Sequence, residues 1–391
     1  MMKKKIFFVT TNRADYGIIK NILLKFEKSK KIKTTLVTTG SHFMKKYGYT
    51  ISEIEKDNFK NIKIIKTKIN NSIEPGLIYS LTFTKFYKLF KSKKINYVFL
   101  TGDRFEVLAI ANVCLLLDIP VIHIHGGELT LGAIDDSIRH SISKIAKIHF
   151  VSNIKYKKRL MQLGEDPNSI FVSGSPSVEA IRYIKFFSKK ELEKKIKIKL
   201  EKKFLVLTLH PETRSNNYNK VENIFKVLKN FKDLKILITM TNFDKGSLKI
   251  QRIISKYVDK KKFYLIKSLG HKLYSSLIKH SSGSVGNSSS NIIELPSLKK
   301  GAINIGKRQD GRVMADNVIN SNYEKKVFKK CLNKLFSNKF LKGLSDVKNP
   351  YFKANSSQFI FKKVLELKKI SNSKNFYDLN FTKDTKFKLI K

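Results

Sequence analysis

The stretch Asn96–His140, NYVFLTGDRFEVLAIANVCLLLDIPVIHIHGGELTLGAIDDSIRH, decides how this chain is read. Two apolar runs of strand length, Tyr97 to Leu100 and Pro120 to Ile124, enclose a helical pattern, which makes a β-α-β unit. The first run ends in Thr101-Gly102-Asp103-Arg104-Phe105-Glu106. The second carries His123 and ends in His125-Gly126-Gly127-Glu128, after which a short connection presents Asp135, Asp136, Arg139 and His140. In an open parallel α/β sheet, ligands bind beyond the carboxyl ends of the strands. Acids, histidines and glycines gathered at two successive strand ends therefore mark the place to look for chemistry.

The same alternation extends in both directions. Strands are expected at Lys5 to Thr10, Lys33 to Thr38, Ile62 to Thr67, Ile148 to Ser152 and Ile170 to Ser173, with helical patterns between them. Gly174-Ser175-Pro176-Ser177 is the natural break. A second series follows with strands at Phe204 to Leu209, Lys235 to Met240, Phe263 to Ser268, Gly283 to Val285 and Gly301 to Ile305, and a last amphipathic helix spans Ser356 to Lys369. The expected class is α/β, with two Rossmann-like domains facing a cleft: residues 1–175, residues 176–370 with the final helix packing back on the first domain, and a basic tail, 371–391. At 391 residues, two cores are the natural division.

The formal charge of +48 would ordinarily suggest nucleic acid or an anionic membrane. It is carried by seventy lysines spread along the chain, with no basic stripe interleaved with aromatics and no nucleic-acid-binding motif. Neither partner is expected. Only nine arginines occur, and six of them (Arg13, Arg104, Arg139, Arg214, Arg308 and Arg312) fall in loop motifs. Where the background favours lysine, a guanidinium points to a need for planar, bidentate geometry. The two cysteines, Cys114 and Cys331, lie in helical patterns without a CxxC partner, so a disulfide framework or zinc site is not expected. The apolar run Ile6 to Val9 is too short for a secretory leader and no stretch approaches a membrane span, so the expected compartment is the cytoplasm.

Each candidate motif has a plain structural alternative. Thr11-Asn12-Arg13-Ala14-Asp15-Tyr16-Gly17 joins the first strand to the first helix. It offers an arginine fork at a helix N-terminus, or simply a polar turn capped by Asp15. Asp103, Glu128, Asp135 and Asp136 are the densest acidic set and suit general acid–base work. Yet Asp103 can cap the helix after it, and Asp135 with Arg139, or Asp136 with His140, share helix faces and can pair. His123 and His125 alternate on a strand without a third metal ligand at useful spacing. His125, at the strand end, is the functional candidate, and His123 reads as a core histidine. His210-Pro211-Glu212-Thr213-Arg214, Gly286-Asn287-Ser288-Ser289-Ser290 leading to Glu294, and Gly306-Lys307-Arg308-Gln309-Asp310-Gly311-Arg312 all follow strands of the second half. None is a GxGxxG or Walker loop.

Taken in order, TNRADYG (11–17), TGDRFE (101–106), HIHGGELTLGAIDDSIRH (123–140), HPETR (210–214), GNSSSNIIE (286–294) and IGKRQDGR (305–312) resemble the hydrolysing UDP-N-acetylglucosamine 2-epimerase family, over the chain to about Lys369. The resemblance implies a glycosyltransferase-B-like fold with a UDP-activated N-acetylhexosamine in the cleft and neither a metal nor a nicotinamide cofactor. It implies removal of the C2 proton, loss of UDP to give a glycal, and hydration to free ManNAc. By resemblance, Asp103, Glu128 and Asp135 or Asp136 are the acid/base set, and His210 works near the leaving group. Arg13, Arg214, Ser288, Ser289 and Ser290 hold the diphosphate. Glu294 bonds the ribose, and the turn at Ser268 to His271 meets uracil. His125, Arg139, Asn242 and Arg312 complete the substrate contacts. A homodimer or homotetramer is expected, with no room for a fused kinase. A related branch acts on UDP-2,4-diacetamido-2,4,6-trideoxyglucose on the path to legionaminic acid. The stretch Ser173 to Val178 (SGSPSV) departs from the Gly-Leu expected after its proline, so both substrates remain open.

Overall fold

The computed structural model describes residues 3–44, 48–67, 74–215, 217–241, 244, 246–266, 269–367 and 374–379. Seven strands form the first sheet: β1 (Lys4–Thr10), β2 (Ile32–Thr38), β3 (Ile62–Ile64), β4 (Tyr97–Thr101), β5 (Val121–Ile124), β6 (Ile148–Val151) and β7 (Ile170–Val172). Six form the second: β8 (Phe204–Thr208), β9 (Lys235–Thr239), β10 (Phe263–Ile266), β11 (Gly283–Gly286), β12 (Ala302–Ile305) and β13 (Val318–Ser321). The orders are β3-β2-β1-β4-β5-β6-β7 and β10-β9-β8-β11-β12-β13, and every pairing is parallel. Both reverse direction beside their first strand, so each sheet has a switch point at its centre. Two Rossmann-like halves facing each other make a glycosyltransferase-B-like fold.

Parallel strands buried on both faces need near-continuous apolar runs. In the first sheet, Phe8 stacks on Phe99 with ring centroids 4.3 Å apart, and Phe26 from the helix Arg13–Glu27 meets both edge-on. The helix Ser356–Glu366 returns to this half: its Ile360 and Val364 are buried with Ile6 and Phe26, and Phe361 packs edge-on against Phe26. The second core is built the same way, with Phe225 stacked on Tyr257 and the helix Lys325–Leu335 contributing Phe328, Leu332 and Leu335.

Three details differ from the sequence reading. The second sheet has a sixth strand, β13, whose mixed Val-Ile-Asn-Ser pattern carries no strand signal because it lies at a sheet edge. Strand β3 stops at Ile64, and the last helix stops at Glu366. Within the tail, residues 374–379 pack on the first half. Lys374 donates to the carbonyls of Ser143, Lys144 and Ala146 at the end of the helix Asp135–Ile145, and pairs with the buried Glu165 at 2.5 Å. None of the described helices is long and apolar enough to cross a membrane.

Candidate active site

The carboxyl ends of both sheets converge on a cavity of about 230 Å³. Its walls come mainly from the loops after β1, β4 and β5 on one side and from the segments after β8, β9, β10, β11 and β12 on the other. In a chain with seventy lysines, the cations lining it are Arg13, Arg104, Arg139, Arg308 and Arg312, and no lysine is among the described lining residues.

On the first half, Asn12 caps the helix Arg13–Glu27 by accepting from the amides of Ala14 and Asp15, so the cap is Asn12 and not Asp15. Asp15 instead ties the loop, taking Thr11 Oγ1 at 2.6 Å and Asn12 Nδ2 at 2.8 Å. Burial pushes its carboxyl up to about 6 even against the Thr11 bond. Asp103 caps nothing; the N-cap of the helix Phe105–Leu116 is Arg104. Asp103 bonds Arg139, whose guanidinium also reaches Glu128 O at 2.7 Å and Thr130 Oγ1 at 3.2 Å. Arg139 thus pairs with Asp103, not with Asp135 one turn before it. That fixes two strand-end loops to one helix.

The chain turns sharply after β5. His125 sits at φ +66°, a left-handed conformation that costs a non-glycine residue energy and clusters at functional sites. The two histidines take different partners. His123 is a buried core residue held between Ser143 Oγ and Gly102 O. His125 bridges Glu128 Oε1 (2.6 Å) and Ser175 Oγ (3.1 Å). Gly127, at φ +74°, passes so close to Tyr156 that any side chain would strike its carbonyl. Glu128 follows, fully buried, accepting also from Ser152 Oγ at 2.9 Å and facing Arg312 Nη2 at 3.0 Å across the cleft. Burial would raise its pKa, but the Arg312 charge and His125 outweigh this and bring it down to about 2.

Asp135 and Asp136, adjacent in sequence, part company here. Asp135 lines the cavity. Burial raises its pKa and the Asp244 carboxylate adds to the rise, against the pull of Arg308 and Arg104. Asp136 lies outside the lining: it accepts the Thr130 amide at 2.7 Å and stands 3.8 Å from His140, an N-terminal tie for its own helix.

On the second half, the buried Asn287 locks the backbone of His210 through bonds of 2.7 and 2.8 Å. Burial and the nearby Arg308 hold the His210 imidazole down to about 3, so it is uncharged near neutral pH. Ser288, Ser289 and Ser290 line the cavity, with Ser290 bonded to Tyr274 (2.7 Å) and Ser288 (3.0 Å). His271 stands 3.8 Å from Glu294; burial pulls its pKa down, but the Glu294 carboxylate more than offsets this and raises it. Arg104 crosses the cleft to Asp244 at 2.9 Å, and Arg308 approaches the same carboxylate at 3.9 Å.

The cavity thus gathers Arg13, Asp103, His125, Glu128, Asp135, Arg139, His210, His271, the three serines, Glu294 and Arg312. Arg214, expected on the diphosphate, is not in the lining; its guanidinium goes to Ser137 Oγ at 2.8 Å. Asn242 and Ser268 lie outside the described residues. Residues the sequence reading did not place are Asp15, Tyr274, Asp244, Arg104 and Arg308. The last two carried a signal, being loop arginines in a lysine-rich chain. Asp244 lies just beyond β9, a strand end of the same class as the others.

A family model described as UDP-N-acetylglucosamine 2-epimerase matches residues 24–365. The chain belongs to this family. Among curated relatives, it is 41% identical over 327 residues to a Campylobacter jejuni protein named GDP/UDP-N,N'-diacetylbacillosamine 2-epimerase (hydrolyzing), covering 82% of this chain and 85% of that one. It is 37% identical over 383 residues to the Escherichia coli polysialic acid biosynthesis protein P7, covering 96% and 98%. The fold is shared with the Neisseria meningitidis UDP-GlcNAc 2-epimerase solved with UDP-GlcNAc: TM-score 0.80 at 18% identity, covering 93% and 100% of the two chains. It is shared too with the Staphylococcus aureus MnaA–UDP complex: TM-score 0.78 at 19% identity, covering 92% and 96%.

Proposed function

We propose that this chain is a hydrolysing 2-epimerase of a UDP-activated 2-acetamido sugar, converting UDP-GlcNAc and water to ManNAc and UDP for nonulosonic acid synthesis. The observation that carries this reading is the division of the cavity. Carboxylates Asp103, Glu128 and Asp135 stand on one wall, and Arg13, Ser288, Ser289, Ser290, His271 and Glu294 line the nucleotide side.

The chemistry has two halves. In the first, the C2–H and C1–O bonds break, C1=C2 forms, a carboxylate takes the proton and UDP leaves with the electron pair. In the second, water adds its hydroxyl to C1 and a proton returns to the opposite face of C2. Asp135 is the proton-transfer group: its raised pKa brings it nearer the operating pH, where a general base and acid work best. Asp103, held by Arg139, faces the sugar as the second carboxylate. Glu128 stays anionic and fixes the tautomer of His125 and the place of Arg312. Arg13, with the positive end of its 15-residue helix, meets the charge that builds on the departing diphosphate. His210, neutral, donates a hydrogen bond there without adding charge.

The 41% identity to the diacetylbacillosamine 2-epimerase favours a second reading, UDP-2,4-diacetamido-2,4,6-trideoxyglucose as substrate. A side-by-side turnover assay with the two nucleotide sugars, products resolved by mass, decides between them. Release of UDP and a free 2-acetamido-mannose sugar from UDP-GlcNAc supports the first. A kcat/KM at least a hundredfold higher on the diacetamido sugar replaces it with the second.

A further inference from the structure

Of the six loop arginines, Arg214 alone stays out of the cavity lining. Its guanidinium crosses to the first half, where Nη2 donates to Ser137 Oγ at 2.8 Å and Nη1 reaches Leu131 O at 3.5 Å. Its backbone amide donates to Gly132 O at 3.3 Å. Thr213 Oγ1 accepts the amide of Ile134 at 3.0 Å. On the opposite flank the amide of Leu131 donates to Asp310 O at 3.2 Å. Gly132 lies so close to Lys307 that a Cβ would come within 2.6 Å of its carbonyl oxygen, so no side chain fits there.

The loop 129–134 of the first half is thereby gripped between two loops of the second. Those two loops are themselves one unit. The buried Glu212 accepts the Lys307 amide at 2.9 Å, Tyr323 Oη at 3.0 Å and Ser215 Oγ at 2.8 Å. The gripped loop runs directly into the helix Asp135–Ile145, whose first residue is the proton-transfer candidate.

We propose that Thr213 and Arg214 are positioning residues: clasping the loop before the helix Asp135–Ile145 from the opposite half, they set where the Asp135 carboxylate lies against the nucleotide side of the cavity. This rests on the function proposed above and deepens it. Arg13 apart, the nucleotide contacts belong to the second half, and the proton-transfer group belongs to the first. A bond from the segment after His210 to the first turn of the Asp135 helix ties the two halves of the reaction in one geometry. A displacement of the order of 1 Å at a reacting group costs about a hundredfold in rate.

The test uses the full chain with Thr213→Val, Thr213→Ser, Arg214→Ala and Arg214→Lys, comparing kcat, KM and UDP affinity by calorimetry. Thr213→Val lowers kcat about tenfold and Arg214→Ala about tenfold to a hundredfold, with UDP affinity within about twofold of wild type. Thr213→Ser, which keeps the hydroxyl, restores kcat, a rescue that loss of bulk packing would not show. If Arg214→Ala fails to fold, the Val/Ser pair at 213 carries the test alone. A tenfold or greater loss of UDP affinity in Arg214→Ala overturns the proposal in favour of a diphosphate ligand. Unchanged kcat in Thr213→Val overturns it outright. Wild-type protein inactive on both nucleotide sugars refutes the proposed function, whereas active wild type with unaffected variants refutes only the clasp.

Discussion

Asp135→Asn and Asp136→Asn, neighbours in sequence, are expected to fail in different ways. Asp135 lines the cavity and its carboxyl is raised by burial and by Asp244, so its amide variant loses a proton-transfer group. General acid–base contributions of about 10²–10⁴ translate into about 3 to 5 kcal/mol of barrier, and kcat should fall by that factor. Stability should not fall with it, because the substitution removes a buried charge whose desolvation, together with repulsion by Asp244, outweighs the pull of Arg308 and Arg104. UDP affinity should hold or rise, since one negative charge leaves the diphosphate's surroundings. Asp136→Asn, by contrast, weakens a charge-assisted bond from the Thr130 amide at 2.7 Å. That costs about 1 kcal/mol of stability with little effect on kcat. The assay is UDP release under saturating nucleotide sugar, with UDP binding and denaturant unfolding measured on the same preparations. Near-wild-type turnover in Asp135→Asn, or equal losses of kcat in both variants, would refute the assignment.

Three further outcomes follow from the same geometry. A base with a raised pKa must be deprotonated to work, so activity is lost as pH falls through that raised value. The acid limb of kcat/KM should lie above the ordinary carboxylate range and vanish in Asp135→Asn. Glu128 has the opposite sign: its folded pKa is brought from 4.5 to about 2, so it stabilises the fold above its unfolded pKa and that gain disappears as pH falls from about 4.5 towards 2. Glu128→Gln should cost about 3 kcal/mol at pH 7 and progressively less in acid, read as denaturant midpoints at each pH. Lys374→Ala should cost about 2 kcal/mol, since it removes a half-buried partner of the buried Glu165 and the donor to three carbonyls at the end of the helix Asp135–Ile145; an unchanged midpoint would show that residues 374–379 add nothing to that helix.

The double α/β architecture was legible because parallel strands buried on both faces write themselves as apolar runs, from Ile6 to Val9 through Ala302 to Ile305. The edge strand β13 was not, since half-exposed Val-Ile-Asn-Ser looks like loop. Local motifs placed Asp103, Glu128, Asp135 and the serine loop at strand ends, but pairing across the cleft has no local signature. Helical spacing offered Asp135 to Arg139, and the fold gave Arg139 to Asp103 in another loop. Spacing likewise left Asp135 and Asp136 equivalent, and only the turn at Thr130 separates them. Arginine scarcity was the best long-range clue. It picked out the five that line the cavity together with Arg214, which spans it from outside.

The central claim is that the C2–H bond breaks and the sugar leaves UDP in one turnover. The most direct measurement is the reaction of UDP-GlcNAc in deuterium oxide, with the product examined by proton NMR and mass spectrometry. Free ManNAc carrying one deuterium at C2, formed in step with UDP, is the expected product. Free GlcNAc that retains its C2 proton, or an epimer still attached to UDP, would contradict it.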